Sequence, residues 1–267
     1  MKTLLVIPAR YASIRYPGKA LAPLKGATGV VKPLIQRSWE AAQAVAGIDR
    51  VVVATDDSRI SEVAEAFGAE VVMTSASCAN GTERCAEAFD KLGNGYDVVV
   101  NLQGDAPLTP PWFIEDLVAG LKIHPTAEVA TPVLRCTGQA LADFIEDRRA
   151  GRVGGTTVVF GAEGKALYFS KEVIPHVEGV GIDRNSPSPV FHHVGVYAYR
   201  PSALAAYPHW TVGPLERLEG LEQLRFLERE RPVQCVEVDA RGRQFWELNN
   251  PEDVARIEAM LSDMEIE

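Results

Sequence analysis

The residues best suited to chemistry crowd into the first 26 positions. An apolar run, Leu4-Leu5-Val6-Ile7, stops at Pro8-Ala9-Arg10; a loop with Ser13, Arg15, Pro17, Gly18 and Lys19 follows, then a second turn at Lys25-Gly26. Guanidinium forks match phosphate oxygens in pairs, and an ammonium adds a mobile point charge. Open α/β sheets bind ligands just beyond the carboxyl ends of their strands. Arg10, Arg15 and Lys19, placed directly after a strand-like run, therefore point to a polyanion, with a nucleoside triphosphate as the natural small one. A solvated loop of scattered bases is the competing reading. The loop matches neither G-x-x-x-x-G-K-[ST] nor G-x-G-x-x-G, so the common kinase and dehydrogenase templates are unsupported.

Four further stretches carry polar groups at chosen places. In Asn80-Gly81-Thr82-Glu83-Arg84, Thr82 is expected to cap a helix whose free N–H groups suit an anion or a base edge; plain capping accounts for it equally. Asn101-Leu102-Gln103-Gly104-Asp105-Ala106-Pro107 falls at the end of an apolar run, where Asp105 suits a magnesium ion shared with phosphates and water, or serves as a turn aspartate. In the strand-like Phe191 to Tyr199, His193, Gly195, Tyr197 and Tyr199 share a face with space at Gly195 for a ligand. His192 faces the other way, which argues against a zinc pair. Within Pro214 to Arg225, Glu216, Glu219, Gly220 and Gln223 follow one helical face, either lining a sugar site or simply solvated.

These groups need a scaffold. Leu4–Ile7, 51–55, 70–73, 98–102 and 129–134 read as strands. Helices are expected over 33–46, 58–67 (Ser58 as N-cap, Gly68 as stop), 82–92 and 112–121. That alternation implies a mostly parallel sheet covered on both faces. The rhythm then changes. Residues 156–160 and 166–169 flank Gly161-Ala162-Glu163-Gly164 as a hairpin, 179–190 read as a mobile loop, and 191–200 as a strand. A helix over 215–229, a strand over 233–238 and a helix over 251–261 complete the chain. The expected fold is α/β, a mostly parallel central sheet flanked by helices with a smaller antiparallel subdomain. The whole of 1–267 is read as one domain, with the smaller subdomain within about 136–215 serving sugar binding and dimerisation.

Composition narrows the classes. A net charge of -9 from 36 acids and 27 bases disfavours a non-specific nucleic-acid binder, which needs a broad basic face. No run approaches the about 18 apolar residues of a membrane span, and the first apolar run is too short for a secretory signal. Cys78, Cys85, Cys136 and Cys235 form no C-x-x-C pair, which disfavours zinc and suits reduced thiols in a cytoplasm.

Taken together, the motifs resemble those of the 3-deoxy-manno-octulosonate (Kdo) cytidylyltransferases. The likeness is carried by Val6-Ile7-Pro8-Ala9-Arg10-Tyr11-Ala12-Ser13-Ile14-Arg15-Tyr16-Pro17-Gly18-Lys19, Val53-Ala54-Thr55-Asp56, Asn80 to Arg84 and Gln103-Gly104-Asp105. Ala166 to Ser170, His193 to Tyr197 and Leu221-Glu222-Gln223-Leu224-Arg225 extend it. The resemblance implies a nucleotide-diphospho-sugar transferase fold, a homodimer and a Mg²⁺-dependent reaction in which the anomeric hydroxyl of Kdo attacks the α-phosphorus of CTP and pyrophosphate leaves, for lipopolysaccharide biosynthesis. It implies that Arg10, Ser13, Arg15 and Lys19 bind the triphosphate, with Thr82 and Arg84 facing the nucleotide. Gln103, His193, Tyr197, Glu216 and Gln223 face the sugar, and Asp105 holds the metal; Arg10, Lys19 and Asp105 are the catalytic set. Three departures stand out. Asn249 replaces the family's second metal aspartate before Pro251-Glu252-Asp253, 152–157 lack the family's lysine, and 27–31 look inserted. They leave open a modified Kdo or another ulosonic acid as acceptor, or a CTP-binding homologue without turnover.

Overall fold

In the computed structural model, residues 1–13, 15–152, 155–177, 183–243 and 246–267 are described. They group into two units. One comprises Met1–Glu115, Tyr199–Pro208 and Ala240–Glu267; the other comprises Asp116–Ala198 and His209–Asp239.

The first unit opens with β1 (Thr3–Ala9), a hairpin of β2 (Pro23–Lys25) and β3 (Val31–Pro33), and α1 (Leu34–Gln43). It continues with β4 (Arg50–Thr55), α2 (Ser58–Ala66), β5 (Glu70–Met73), α3 (Gly81–Leu92) and β6 (Val98–Leu102); of α4 (Pro111–Ile123), residues 111–115 belong to it and the rest to the second unit. Its strands run parallel in the order β5-β4-β1-β6. All seven residues of β1 and all five of β6 are buried, as near-continuous apolar strands covered on both faces must be. The sequence expectation of a parallel core is therefore met almost residue for residue.

The second unit holds β7 (Val129–Thr137), α5 (Gly138–Arg149), β8 (Thr156–Phe160), β9 (Ala166–Ser170) and β10 (Pro187–His193), with β11 (Val196–Tyr199) ending at its boundary. After α6 (Pro201–Ala206), which belongs to the first unit, it resumes with α7 (Pro214–Glu219), α8 (Leu224–Leu227) and β12 (Val233–Val238). Here β7 pairs parallel with β12 and antiparallel with β10, and β10, β8 and β9 continue antiparallel. The mostly parallel sheet with an antiparallel portion is the expected fold class. The last helix, α9 (Asp253–Asp263), returns to the first unit.

Several expected boundaries differ. Asp57, not Ser58, caps α2: its carboxylate accepts the Arg59 N–H, because one residue earlier the backbone is still extended. Asn80, not Thr82, caps α3 by accepting the Glu83 N–H, which frees the Thr82 hydroxyl for another partner. The single helix expected over 215–229 is broken: Gly220 adopts φ 63° and its N–H closes on Glu216 O, the left-handed stop that glycine takes without a Cβ penalty. The leucine spacing suggested continuity, but a helical face running from Glu216 to Gln223 does not exist. The strand expected over 191–200 is interrupted at Val194-Gly195, where the Val196 N–H folds back onto Val194 O. Of the loop expected over 179–190, residues 187–190 are strand, and 179–182 lie outside the described residues. Helix α5, capped by Thr137, was not anticipated.

Of the residues read as an insertion, 27–30 lie in the turn of the β2–β3 hairpin and Val31 opens β3; the turn is closed by Gly26 N–H to Val30 O at 2.9 Å. The hairpin rests on the end of the chain through Ala27 N–H to Ile266 O and Lys25 N–H to Glu258. Beneath it Leu24, Leu34, Leu108, Leu248, Ile257 and Leu261 form one apolar cluster. Burying each large aliphatic side chain is worth about 1.5–3 kcal/mol. Leu248 is wholly buried in that cluster, which fixes the polar residues on either side of it.

Candidate active site

The carboxyl ends of β1 and β6 are drawn together by the turn after β6. A Cβ at Gly104 would stand 2.8 Å from the Pro8 carbonyl oxygen, so only glycine allows this approach. The next residue, Asp105, forms an ion pair with Lys19, both side chains being largely buried. Lys19 Nζ also donates to Leu248 O at 3.2 Å, and Leu248 N–H donates to Asp105 O at 2.9 Å. One residue on, Arg15 Nη2 donates to Asn249 Oδ1 at 2.7 Å. The Asp253 carboxylate fixes this turn by accepting the N–H groups of Asn249 (2.9 Å) and Asn250 (2.7 Å). Four expected site residues, Arg15, Lys19, Asp105 and Asn249, are thus brought into one hydrogen-bonded cluster from three distant stretches of chain.

Glu247 belongs to the same cluster and was not anticipated as a site residue. Burial pushes its carboxyl up to about 7, and the Asp105 carboxylate adds to the rise. Lys19, a hydrogen bond with Asn249, and Arg15 act in the opposite direction. Its only sequence signal is its position two residues before Asn249, with core residue Leu248 between them.

The remainder of the opening loop is held from α2. Arg10 is exposed at the end of β1, and the Ser13 N–H is tied to Tyr11 O at 2.9 Å. The same carbonyl accepts the Gly18 N–H at 2.9 Å. The Arg59 guanidinium lies 3.3 Å from the centre of the Tyr11 ring and is gripped by Asp57 through bonds of 2.9 and 2.6 Å. Tyr11 and Arg59 were likewise not anticipated.

Thr82 and Arg84 are buried on the first turns of α3. The Thr82 hydroxyl shares a 2.9 Å hydrogen bond with Tyr199 OH. Arg84 faces Asp56 at 3.3 Å and donates to Thr74 Oγ1 at 2.5 Å, joining the ends of β4 and β5. The Gln103 carboxamide packs over the start of the same helix, so closely that a Cβ at Gly81 would lie 2.8 Å from its Nε2.

In the second unit, His193 Nε2 meets Thr131 Oγ1 at 2.9 Å, and its ring stands edge-on to Phe169 and beside Tyr197. Tyr197 OH donates to Gln223 Oε1 at 3.0 Å, while the buried Gln223 Nε2 has no hydrogen-bond partner among the described residues. Burial lowers His193 to about 3, with His192 adding to the effect, so near neutrality the ring is uncharged and only one of its two nitrogens carries a proton. The His192 ring turns instead to Phe144. Glu216 does not join this group: both of its oxygens accept from Arg225, at 2.7 Å each, in a buried fork. Glu219 accepts from Ser170 Oγ at 2.7 Å and Lys171 N–H at 2.9 Å.

A basic loop locked to a carboxylate at adjoining strand ends is an arrangement for handling a triphosphate. The match to known proteins agrees: residues 4–234 fit the model of a family described as cytidylyltransferase. The chain belongs to the cytidylyltransferase family. Among its relatives, the 3-deoxy-manno-octulosonate cytidylyltransferase of Maricaulis maris is 43% identical over 265 residues, 98% of each chain. The 8-amino-3,8-dideoxy-manno-octulosonate cytidylyltransferase of Shewanella frigidimarina is 40% identical over 98% of this chain and 99% of its own. Among solved structures, a CMP:2-keto-3-deoxy-manno-octonic acid synthetase complexed with CTP superposes with a TM-score of 0.82 at 32% identity, covering 99% of this cytidylyltransferase and all of the other. The enzyme is a nucleotidyltransferase of that family, and among its described residues no helix is long and apolar enough to cross a membrane.

Proposed function

We propose that this cytidylyltransferase transfers CMP from CTP to the anomeric hydroxyl of Kdo, giving CMP-Kdo and pyrophosphate for lipopolysaccharide synthesis. The observation that carries the reading is the Lys19–Asp105 pair at the joined ends of β1 and β6, with Arg15 and Asn249 alongside. Attack at phosphorus calls for positioning and charge neutralisation more than for a reactive protein nucleophile. Arg10 and Arg15 offer bidentate donors to phosphate oxygens, and Lys19 offers a point charge to the departing pyrophosphate. Tyr11, clasped by Arg59, keeps the loop that bears them in register. His193, neutral and fixed by Thr131, and Gln223, with an amide donor to spare, present hydrogen-bonding groups suited to a polyhydroxylated acid.

The oxygen donors of Asp105 and Asn249 suit a hard divalent cation, and Mg²⁺ is the ion we assign to them. Bound there, Mg²⁺ supplies charge neutralisation for the triphosphate. The scattered cysteines, none in a disulfide, suit a reducing cytoplasm, and the family resemblance supports a homodimer, which sedimentation checks directly.

The test is pyrophosphate release from CTP with Kdo and Mg²⁺, with the product identified by mass spectrometry. 8-Amino-3,8-dideoxy-manno-octulosonate as the alternative acceptor and UTP as the alternative nucleotide set the specificity. Absence of pyrophosphate with every acceptor overturns the proposal. Asp105→Asn should lower kcat by about 100- to 1000-fold while CTP still binds; full activity removes Asp105 from the chemistry.

A further inference from the structure

We propose that Thr131 is a positioning residue: it fixes His193 in one tautomer, with the proton on Nε2, so that Nδ1 presents a bare lone pair to a hydroxyl of the sugar acid. The inference deepens the functional reading above and rests on it for the identity of the acceptor. The tautomer itself follows from the geometry of the second unit alone.

The hydrogen bonds of Thr131 decide where the proton lies. Thr131 is wholly buried on β7, in register with Cys235 of β12. Its Oγ1 stands 2.8 Å from Val196 O, 3.3 Å from Val194 O and 2.9 Å from His193 Nε2. A hydroxyl carries one proton and two lone pairs, and a carbonyl oxygen can only accept. The hydroxyl proton therefore goes to the carbonyls, Val196 O being the nearer. Oγ1 has only lone pairs left for the imidazole, so His193 Nε2 must be the donor. Were Nε2 unprotonated, two acceptors would face each other in a buried place with neither satisfied.

The carbonyls are brought there by the break in the strand. β10 ends at His193, the Val194 N–H goes to Pro132 O at 3.1 Å, and the Val196 N–H folds back onto Val194 O at 2.7 Å. In an extended strand the carbonyls of residues i and i+2 stand about 6.7 Å apart, beyond the reach of one hydroxyl. The tight turn about Gly195 draws them together onto Thr131.

Nδ1 then holds the other lone pair of a ring that burial keeps neutral. No hydrogen bond among the described residues engages Nδ1. Phe169 stands edge-on to the ring and Tyr197 lies beside it, which holds its plane. Tyr197 OH also donates to Gln223 Oε1, leaving Gln223 Nε2 as a buried donor without a partner among the described residues. On either side of Tyr197 the unit thus offers one acceptor and one donor. A sugar hydroxyl can answer both, whereas a carboxylate oxygen is repelled by a bare nitrogen lone pair. Nδ1 therefore reads a hydroxyl of the acid and not its carboxylate.

Nitrogen NMR reads the tautomer without turnover. In ¹⁵N-histidine-labelled protein near neutral pH, long-range ¹H–¹⁵N correlation resolves the five histidines, and His193 is assigned by its loss in His193→Gln. The wild type should show a pyrrole-type Nε2 and a pyridine-type Nδ1; the reverse pattern, or a mixture, overturns the proposal. Kdo is then added with CMP, which has no pyrophosphate to release, until the amide shifts saturate. Nδ1 should move upfield, as a pyridine-type nitrogen does on accepting a hydrogen bond, while Nε2 holds; an unmoved Nδ1 is equally fatal. Thr131→Val keeps the side-chain shape and removes the hydroxyl. It should mix the two tautomers and raise KM for Kdo by about 5- to 10-fold, with KM for CTP changed less than about twofold. Thr131→Ser should restore both properties. A wild-type tautomer in Thr131→Val, or an unchanged KM for Kdo, overturns the positioning role. If Thr131→Val does not fold, the wild-type spectra decide the matter alone. Amide shifts that never respond to Kdo, or absence of pyrophosphate release by the wild type, count against the functional reading instead, and the ligand-free spectrum still decides the tautomer.

Discussion

The buried fork between Glu216 and Arg225 gives the sharpest test of how this fold is held, because sequence reading placed Glu216 against the sugar. Both oxygens of Glu216 accept from Arg225 at 2.7 Å, and Arg225 is only 2% exposed. At a charge separation of roughly 4 Å and an effective dielectric constant of about 20, the attraction is about 4 kcal/mol. Desolvation of the two ions consumes much of that gain, so the pair as a whole contributes little. Removing one partner is another matter: Glu216→Gln or Glu216→Leu strands a buried guanidinium and should cost about 3–5 kcal/mol. With a urea m value of about 2–3 kcal/mol per molar, the unfolding midpoint should fall by about 1–2.5 M. Glu216→Leu combined with Arg225→Met should recover most of the loss, giving a coupling energy of at least about 2 kcal/mol in the cycle. Urea titrations followed by tryptophan fluorescence measure all four corners. If Glu216→Gln leaves the midpoint unchanged and instead raises KM for the sugar acid, the fork is not where Glu216 acts and the reasoning fails.

Arg59→Leu removes the cation from the Tyr11 ring and should raise KM for CTP by about 5- to 30-fold while changing kcat less, with Arg59→Lys recovering part of it; an unchanged KM would show that the loop holds its own shape. His193 is held neutral, its folded value near 3 lying below the ordinary unfolded value of about 6.5, so the stability it contributes is complete above about pH 6.5 and is lost as pH falls toward 3. His193→Gln, which can still meet Thr131, should therefore flatten the stability profile between pH 6 and pH 4 by about 1.4 kcal/mol per pH unit, read from urea midpoints at each pH; an unchanged slope would mean that His193 is not buried as a neutral ring.

The sequence was most legible where burial alone decides structure. Leu4–Ile7, Val52–Ala54 and Val98–Val100 are wholly buried, and a continuous apolar run in an alternating chain has few other fates. Helix ends were less legible because neighbouring residues compete for one cap: Asp57 stands beside Ser58, and Asn80 lies two before Thr82, and backbone geometry chooses between them. The leucines of 215–227 concealed the break because periodicity weighs side chains, whereas Gly220 acts through φ.

The same division runs through the site. Arg15, Lys19 and Asp105 could be singled out because each lies in a loop that follows a buried strand, where a local pattern gathers polar groups. Glu247 was not, since its neighbours Asp105 and Lys19 stand 142 and 228 positions away in sequence, and no local pattern distinguishes it from a solvated glutamate. In the sequence Arg225 is only the last residue of the Leu221–Arg225 motif; that it takes up Glu216 appears only when Gly220 turns the chain back on itself. Charges that meet across a fold are invisible to spacing rules, yet they decide which carboxylates are free for ligands. By that criterion Glu216 is committed to Arg225 and supports the fold, whereas the Asp105 carboxylate is paired with Lys19, a residue that the proposed function also assigns to phosphate. A carboxylate whose partner is drawn away by a ligand must find another cation, and under the proposed function that condition falls on Asp105.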